Sequence, residues 1–318
     1  MPLGLGLAAS HAPSLFVEAD RWPKLQEVLT QGLPQPPQVQ AETPEVIEGW
    51  VGRIQRNFRS LREQLEAYRP DALIVVGDDQ GEVFSPAIQP ALAIYLGEEV
   101  WGSTSIGLLG EPYEENRLTL RCHAALAHAL HQGLAARGFD LAAVEKLVPA
   151  GRPAAGLGHA FTRLPRVLGV PELDVPIVVL WVNAYFPPCP SAARCYALGQ
   201  ALHEILADRP ERVAILGSGG LSHDPRGPRA GWIDEPLDRW VLERLERGEG
   251  EALQHLFTFD SDTLRGGTGE IRSWIVVAGA FPAARATVVD YLPARHAVTG
   301  LGFAYWPPEP TPREGAAR

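Results

Sequence analysis

Short apolar runs alternate with amphipathic stretches along the whole chain. Residues 72–76, 176–182 and 213–216 are continuously apolar and partly β-branched, which predicts strands buried on both faces. Residues 3–9 are apolar and glycine-rich and predict a first strand. Residues 91–96, 105–109, 288–292 and 302–306 predict further strands. Val46, Ile47, Trp50, Ile54, Phe58, Leu61 and Leu65 recur at helical spacing, which predicts a long amphipathic helix over 44–68, ended by Arg69-Pro-Asp71. The same spacing predicts helices over 112–137, 191–208, 232–248 and 271–280. The Pro- and Gln-rich 31–44 and the Pro-rich 183–190 read as loops. Strands alternating with helices give an α/β class, expected here as a single domain with a central mixed β-sheet flanked by helices. That domain is expected to cover 1–306, with 307–318, rich in Pro, Glu and Arg, as a disordered tail.

Composition narrows the picture. The chain has 318 residues, 46% hydrophobic and 21% charged, as in an ordinary soluble globular protein with a sizeable core. A net charge of −10 argues against nucleic acid as a partner, apart from a local basic patch where Arg226 and Arg229 follow His223. Cys122, Cys189 and Cys195 form no CxxC pair and fit a reducing cytosol better than a disulfide framework. The N-terminus lacks the basic region of a signal peptide, and no stretch reaches the about 20 apolar residues of a membrane helix. The expected location is cytoplasmic, with no membrane partner.

Candidate chemistry gathers where apolar runs end. Val213-Ala-Ile-Leu216 runs into Gly217-Ser-Gly-Gly220, which frees the backbone to turn and leaves His223 just past a strand's carboxyl end, where open α/β sheets bind ligands. His11 follows the first strand, and Pro13 disfavours helix at Ala12. Asp78 and Asp79 follow the second central strand and read equally as turn caps or metal ligands. His159 follows a Gly- and Pro-bearing segment and is expected in irregular backbone. Glu270 opens a helix, where the dipole favours a carboxylate. His128 and His131 share a helical face, but no carboxylate or Cys accompanies them in register, so they and His123 read as a solvated or half-buried face. Histidines and a carboxylate on separate loops suit a divalent metal; an Fe(II) oxygenase site typically has two His and one carboxylate with open positions.

In order, Ser10-His11-Ala-Pro13, Val75-Val-Gly-Asp-Asp79, Gly158-His159-Ala, Pro187-Pro-Cys-Pro-Ser191 with Arg194, Gly217-Ser-Gly-Gly-Leu-Ser-His223 and Glu270-Ile-Arg-Ser-Trp274 resemble the class III extradiol ring-cleavage dioxygenases of the protocatechuate 4,5-dioxygenase catalytic-subunit type. The resemblance implies a non-haem Fe(II) enzyme that opens a catechol- or aminophenol-type ring with O2. It assigns His11 and Glu270 as metal ligands, His223 as the proton-transfer residue and His159 as a hydrogen-bonding or proton-donating neighbour of the substrate. It also implies a homo-oligomer or a small partner subunit. Phe84, Phe161, Tyr185, Phe186 and Trp232 lie near these motifs as candidate walls of an aromatic pocket.

One position departs from the family pattern. The second His ligand is replaced by Gln80, a harder and weaker donor. Gln80 itself ligates, or Asp79 or Glu82 takes over, or the metal site is lost and the chain is a non-catalytic subunit or binding protein. A hydrolase using Ser218 or Ser222 with His223 is the remaining reading, and Gly-Ser-Gly-Gly lacks the nucleophile-elbow pattern.

Overall fold

The computed structural model describes residues 3–308. In chain order the strands are β1 (Leu3–Ala9), β2 (Ala72–Gly77), β3 (Leu92–Tyr95), β4 (Glu99–Ser103), β5 (Arg117–Arg121), β6 (Ala142–Val144), β7 (Ile177–Val182), β8 (Val213–Ser218), β9 (Thr287–Ala294) and β10 (Thr299–Trp306). The helices are α1 (Trp22–Thr30), α2 (Pro44–Tyr68), α3 (Ala124–Ala135), α4 (His159–Val167), α5 (Ala192–Ala207), α6 (Glu235–Glu246) and α7 (Ile271–Ala280).

Eight strands form one sheet in the order β6-β3-β7-β2-β8-β1-β10-β9; β4 and β5 form a separate hairpin. The four central strands β7, β2, β8 and β1 are mutually parallel. β3 and β10 join this block antiparallel, so the sheet is mixed. Every residue of the central four is buried, as their unbroken apolar runs require. Their side chains alternate between two cores. Ile74, Val76, Val178 and Leu180 meet α3, α5 and α7 on one face. Leu73, Val75, Val179 and Trp181 meet α2 and α4 on the other. Parallel strands all point their carboxyl ends to one edge, and the loops leaving β1, β2, β7 and β8 therefore emerge together.

Several expectations are corrected. Residues 112–137 are not one helix: Arg117–Arg121 is a strand paired with β4, and only Ala124–Ala135 is helical. Leu118 and Leu120 fit a period of two as well as a helical face, and hairpin pairing decides between them. Residues 105–109 are not a strand, since Gly107–Leu109 forms a 3-10 turn. His159 is not in irregular backbone; it is the first residue of α4, with Gly158 as N-cap. Pro165 inside that helix conceals it from a periodicity reading. Apart from 307 and 308, the tail expected at 307–318 lies outside the described residues. Among the described residues, no helix is long and apolar enough to cross a membrane, and all three cysteines are free thiols.

Candidate active site

The carboxyl edge of the sheet carries a cavity of about 460 Å³. His11, Gln80, His159, His223 and Glu270, all singled out by the sequence, line it together. So do Glu82, Tyr185, Phe186, Arg152, Arg163 and Arg226.

His11 leaves the end of β1 and is 2% exposed. Its Nδ1 lies 3.0 Å from Ser218 Oγ at the end of β8, and that hydroxyl donates to the Ala160 carbonyl at 2.6 Å. The serine proton is thus committed elsewhere, so Nδ1 carries the imidazole proton and donates it to Ser218. Nε2 keeps its lone pair. Nε2 has no hydrogen-bond partner and faces Glu270 Oε2 at 3.4 Å.

Glu270 is the hub of the site. Its Oε1 accepts from Tyr185 O–H at 2.7 Å and from Gln80 Nε2 at 2.9 Å, and its Oε2 accepts from the Gly220 N–H at 2.6 Å. Burial works against its charge, but the His223 imidazole outweighs that and holds the carboxyl well below the usual range. Trp274, one turn into α7, donates to the Gly219 carbonyl at 2.9 Å and ties the glycine loop to the helix that carries Glu270.

His223 is locked in orientation. Nδ1 lies 2.8 Å from the Leu221 carbonyl, which can only accept, so Nδ1 carries a proton. Nε2 lies 3.3 Å from Glu270 Oε1 and 3.4 Å from the Tyr185 hydroxyl. Burial lowers the His223 pKa, but the Glu270 carboxylate more than offsets this and the net shift is upward. Gly267 is the wall behind the ring: a Cβ there would stand 2.2 Å from His223 Nε2. Upstream, buried Asp238 on α6 accepts from the Ser222 N–H and O–H, both at 2.8 Å, and from Tyr291 O–H at 2.7 Å. Ser218 and Ser222 are thus structural hydroxyls with committed partners, which leaves the hydrolase reading without a nucleophile.

His159 stands on the opposite wall, with its ring edge-on to His11 at a centroid distance of 4.8 Å. Its Nδ1 lies 2.5 Å from Glu82 Oε1. Burial raises the Glu82 pKa, but His159 beside it, with Arg152 and Arg163, overrides this and holds the carboxyl down at about 2. Burial lowers the pKa of His159 itself, despite the carboxylate. A neutral ring donating Nδ1–H to Glu82 keeps its Nε2 lone pair.

The loop after β2 separates its acidic residues by role. Asp79 accepts from the N–H groups of Glu82, Val83 and Phe84 and caps the turn. Asp78 is 2% exposed, and neither of its carboxylate oxygens has a hydrogen-bond partner. Burial and the nearby Glu270 charge push its carboxyl well above the usual range. Ligand atoms of His11, Asp78 and Glu270 lie within 4.8 Å of one another. Sequence reasoning found the aspartate pair but not which member faces the site; it also missed the Glu82–His159 pair and the role of Tyr185.

Of the candidate aromatics, Tyr185 and Phe186 line the cavity. Phe84 and Phe161 instead pack edge-on against Trp181 at 5.4 Å, and Trp232 is half exposed away from the cavity. His123 caps α3, His128 is exposed and His131 meets the Leu141 carbonyl, as a non-ligand helix face requires.

A family model described as the catalytic LigB subunit of aromatic ring-opening dioxygenase matches residues 6–302. A 2,3-dihydroxyphenylpropionate/2,3-dihydroxicinnamic acid 1,2-dioxygenase of Photorhabdus laumondii is 27% identical over 200 residues, 63% of this chain and 56% of that protein. The Burkholderia vietnamiensis protein of the same name is 26% identical over 288 residues, 76% of this chain and 85% of its own length. A gallate dioxygenase of Pseudomonas putida is 33% identical over 166 residues, 51% of this chain and 46% of that protein. The match thus spans about half the length of the Photorhabdus and Pseudomonas relatives.

Proposed function

Since the chain belongs to the family of catalytic LigB subunits of aromatic ring-opening dioxygenases, we propose that it performs non-haem Fe(II)-dependent extradiol cleavage of a catechol- or aminophenol-type ring with O2. The observation that carries this reading is the convergence of His11, Glu270, His223 and His159 on one cavity at the carboxyl edge of the sheet.

The residues fit a metal. The buried lone pair of His11 Nε2 has no hydrogen-bond partner and points at a buried carboxylate, an arrangement of two electron-rich groups that a cation between them satisfies. His11 and Glu270 would hold the ion, with a third donor from the loop after β2, where the resemblance nominates Gln80. Fe(II) bound there would supply Lewis acidity toward the ring hydroxyls and redox chemistry with O2.

The chain's own residues handle position and protons. With Nδ1–H fixed on the Leu221 carbonyl, Nε2 is the His223 atom left to exchange a proton with a ring hydroxyl. His159, oriented by Glu82, offers a second Nε2 on the facing wall. Tyr185 and Gln80 fix the rotamer of Glu270 through its Oε1. The relatives are named for a dihydroxyphenylpropionate and for gallate, both acids, and Arg152, Arg163 and Arg226 line the cavity here. An acidic ring substituent is therefore included in the proposed substrate class.

We also propose a catalytic domain of 1–306, a cytoplasmic location, and assembly as a homo-oligomer or with a small partner subunit. The test is oxygen uptake by protein loaded anaerobically with Fe(II), using catechols and aminophenols with and without a carboxylate. Substrate-dependent uptake at near-stoichiometric iron supports the reading. Protein that holds no Fe(II) and takes up no oxygen is instead a non-catalytic subunit.

A further inference from the structure

We propose that Asp78, and not Gln80, supplies the third protein ligand, so that the metal is held by one imidazole and two carboxylates. This rests on the metal-dependent reading above and deepens it.

Four polar residues of the loop after β2 compete for the role, and three of them already hydrogen-bond to other groups through at least one polar atom. Both oxygens of Asp79 are taken by backbone N–H groups of the turn. Glu82 is paired with His159 and lies 3.7 Å from Arg152. Gln80 turns its amide N–H toward Glu270 Oε1 at 2.9 Å. That orientation is set by chemistry: a carboxylate oxygen only accepts, so it repels the amide oxygen and selects the donor end. Gln80 thus positions Glu270 through its amide N–H.

Asp78 has no competing partner. Both of its oxygens are buried and unbonded, and a ligand atom of its carboxylate lies within 4.8 Å of those of His11 and Glu270. A buried carboxylate is ordinarily hydrogen-bonded or paired. Here it lies close to a second buried carboxylate and to an imidazole nitrogen whose lone pair is also unbonded. A divalent cation among the three compensates them all. Two carboxylates also neutralise a divalent ion completely, whereas a two-His, one-carboxylate set leaves it one positive charge. The three guanidiniums lining the cavity then become the source of positive potential for an anionic ring substrate. The oxygen-rich set further shifts selectivity toward harder ions such as Mn(II).

The test is calorimetric titration of the metal-free protein with Co(II) and Mn(II), alongside thermal unfolding with and without the ion. Wild type is expected to bind one ion. Asp78→Asn and Asp78→Ala should weaken binding at least 100-fold and abolish the ion-induced rise in melting temperature. Metal-free Asp78→Asn should melt no lower than wild type, because neither oxygen of Asp78 makes a hydrogen bond that the amide would break. Gln80→Ala should weaken binding less than either Asp78 variant does. A loss in Gln80→Ala equal to or larger than that in the Asp78 variants, or Asp78→Asn binding within tenfold of wild type, overturns the assignment. Wild type that binds neither ion overturns the metal-dependent reading itself.

Discussion

His11 donates its Nδ1 proton to Ser218 Oγ across 3.0 Å, because the serine's own proton is committed to the Ala160 carbonyl. One hydroxyl thereby fixes which imidazole nitrogen keeps the lone pair that faces Glu270. Partners of this kind orient a ligand and set its tautomer. Ser218→Ala is expected to lower metal affinity by about 10- to 100-fold while the fold is retained, read by Co(II) titration together with circular dichroism. Unchanged affinity would show that the ring is oriented by its packing alone.

Gly267 is predicted to be as sensitive as a catalytic position although it carries no side chain. Its added methyl would stand 2.2 Å from His223 Nε2, and the ring cannot swing clear without breaking its 2.8 Å bond to Leu221. Gly267→Ala should match His223→Ala, with metal binding intact and kcat reduced by about 100-fold or more, the usual scale of a lost proton-transfer group. Full activity in either variant would remove His223 Nε2 from the mechanism.

Arg163 is buried, donates through Nη2 to the Ser105 carbonyl at 2.9 Å, and leaves Nε and Nη1 without partners. A guanidinium kept this way is poised for an anion. Arg163→Met is expected to raise KM for carboxylate-bearing catechols by about 10- to 100-fold, the worth of one charge-assisted hydrogen bond. The same variant should barely change KM for unsubstituted catechol. Equal effects on both substrates would assign Arg163 to the architecture of the wall.

The sequence exposed the scaffold and most residues of the candidate site, for reasons that can be traced residue by residue. The four central strands are apolar throughout because both faces are covered, and such runs are hard to mistake. His11, His223 and Glu270 were recognisable because each follows a strand end or a glycine loop. What failed depended on distant partners. Leu118 and Leu120 suited helix or strand until β4 paired with them. Nothing local separates Asp78 from Asp79; the turn that occupies Asp79 does so through three N–H groups whose directions no pattern encodes. Glu82 and His159 are far apart in the chain and meet only because β2 ends and α4 begins at the same edge.

Asp238 makes stability depend on pH. Burial pushes its carboxyl up to about 6 from an ordinary 3.8. The folded state therefore holds this proton more tightly than the unfolded one. Its contribution is fully present below about pH 4 and is lost as pH rises through about 6, up to about 3 kcal/mol. Asp79, also pushed to about 6 by burial, acts in the same direction, whereas Glu82 acts only below about pH 4.5. Urea unfolding at pH 4.5 and pH 7 should show a smaller drop in Asp238→Asn than in wild type. An identical drop in both would mean that Asp238 ionises normally.

The most direct test of ring opening by O2 is the mass of the product formed under ¹⁸O2 by the Fe(II)-loaded protein with an acidic catechol. Ring cleavage as proposed places both oxygen atoms of one O2 in a ring-opened product, which gains the mass of two labelled atoms. A product with an intact ring, or an opened product that carries no label, would contradict the account.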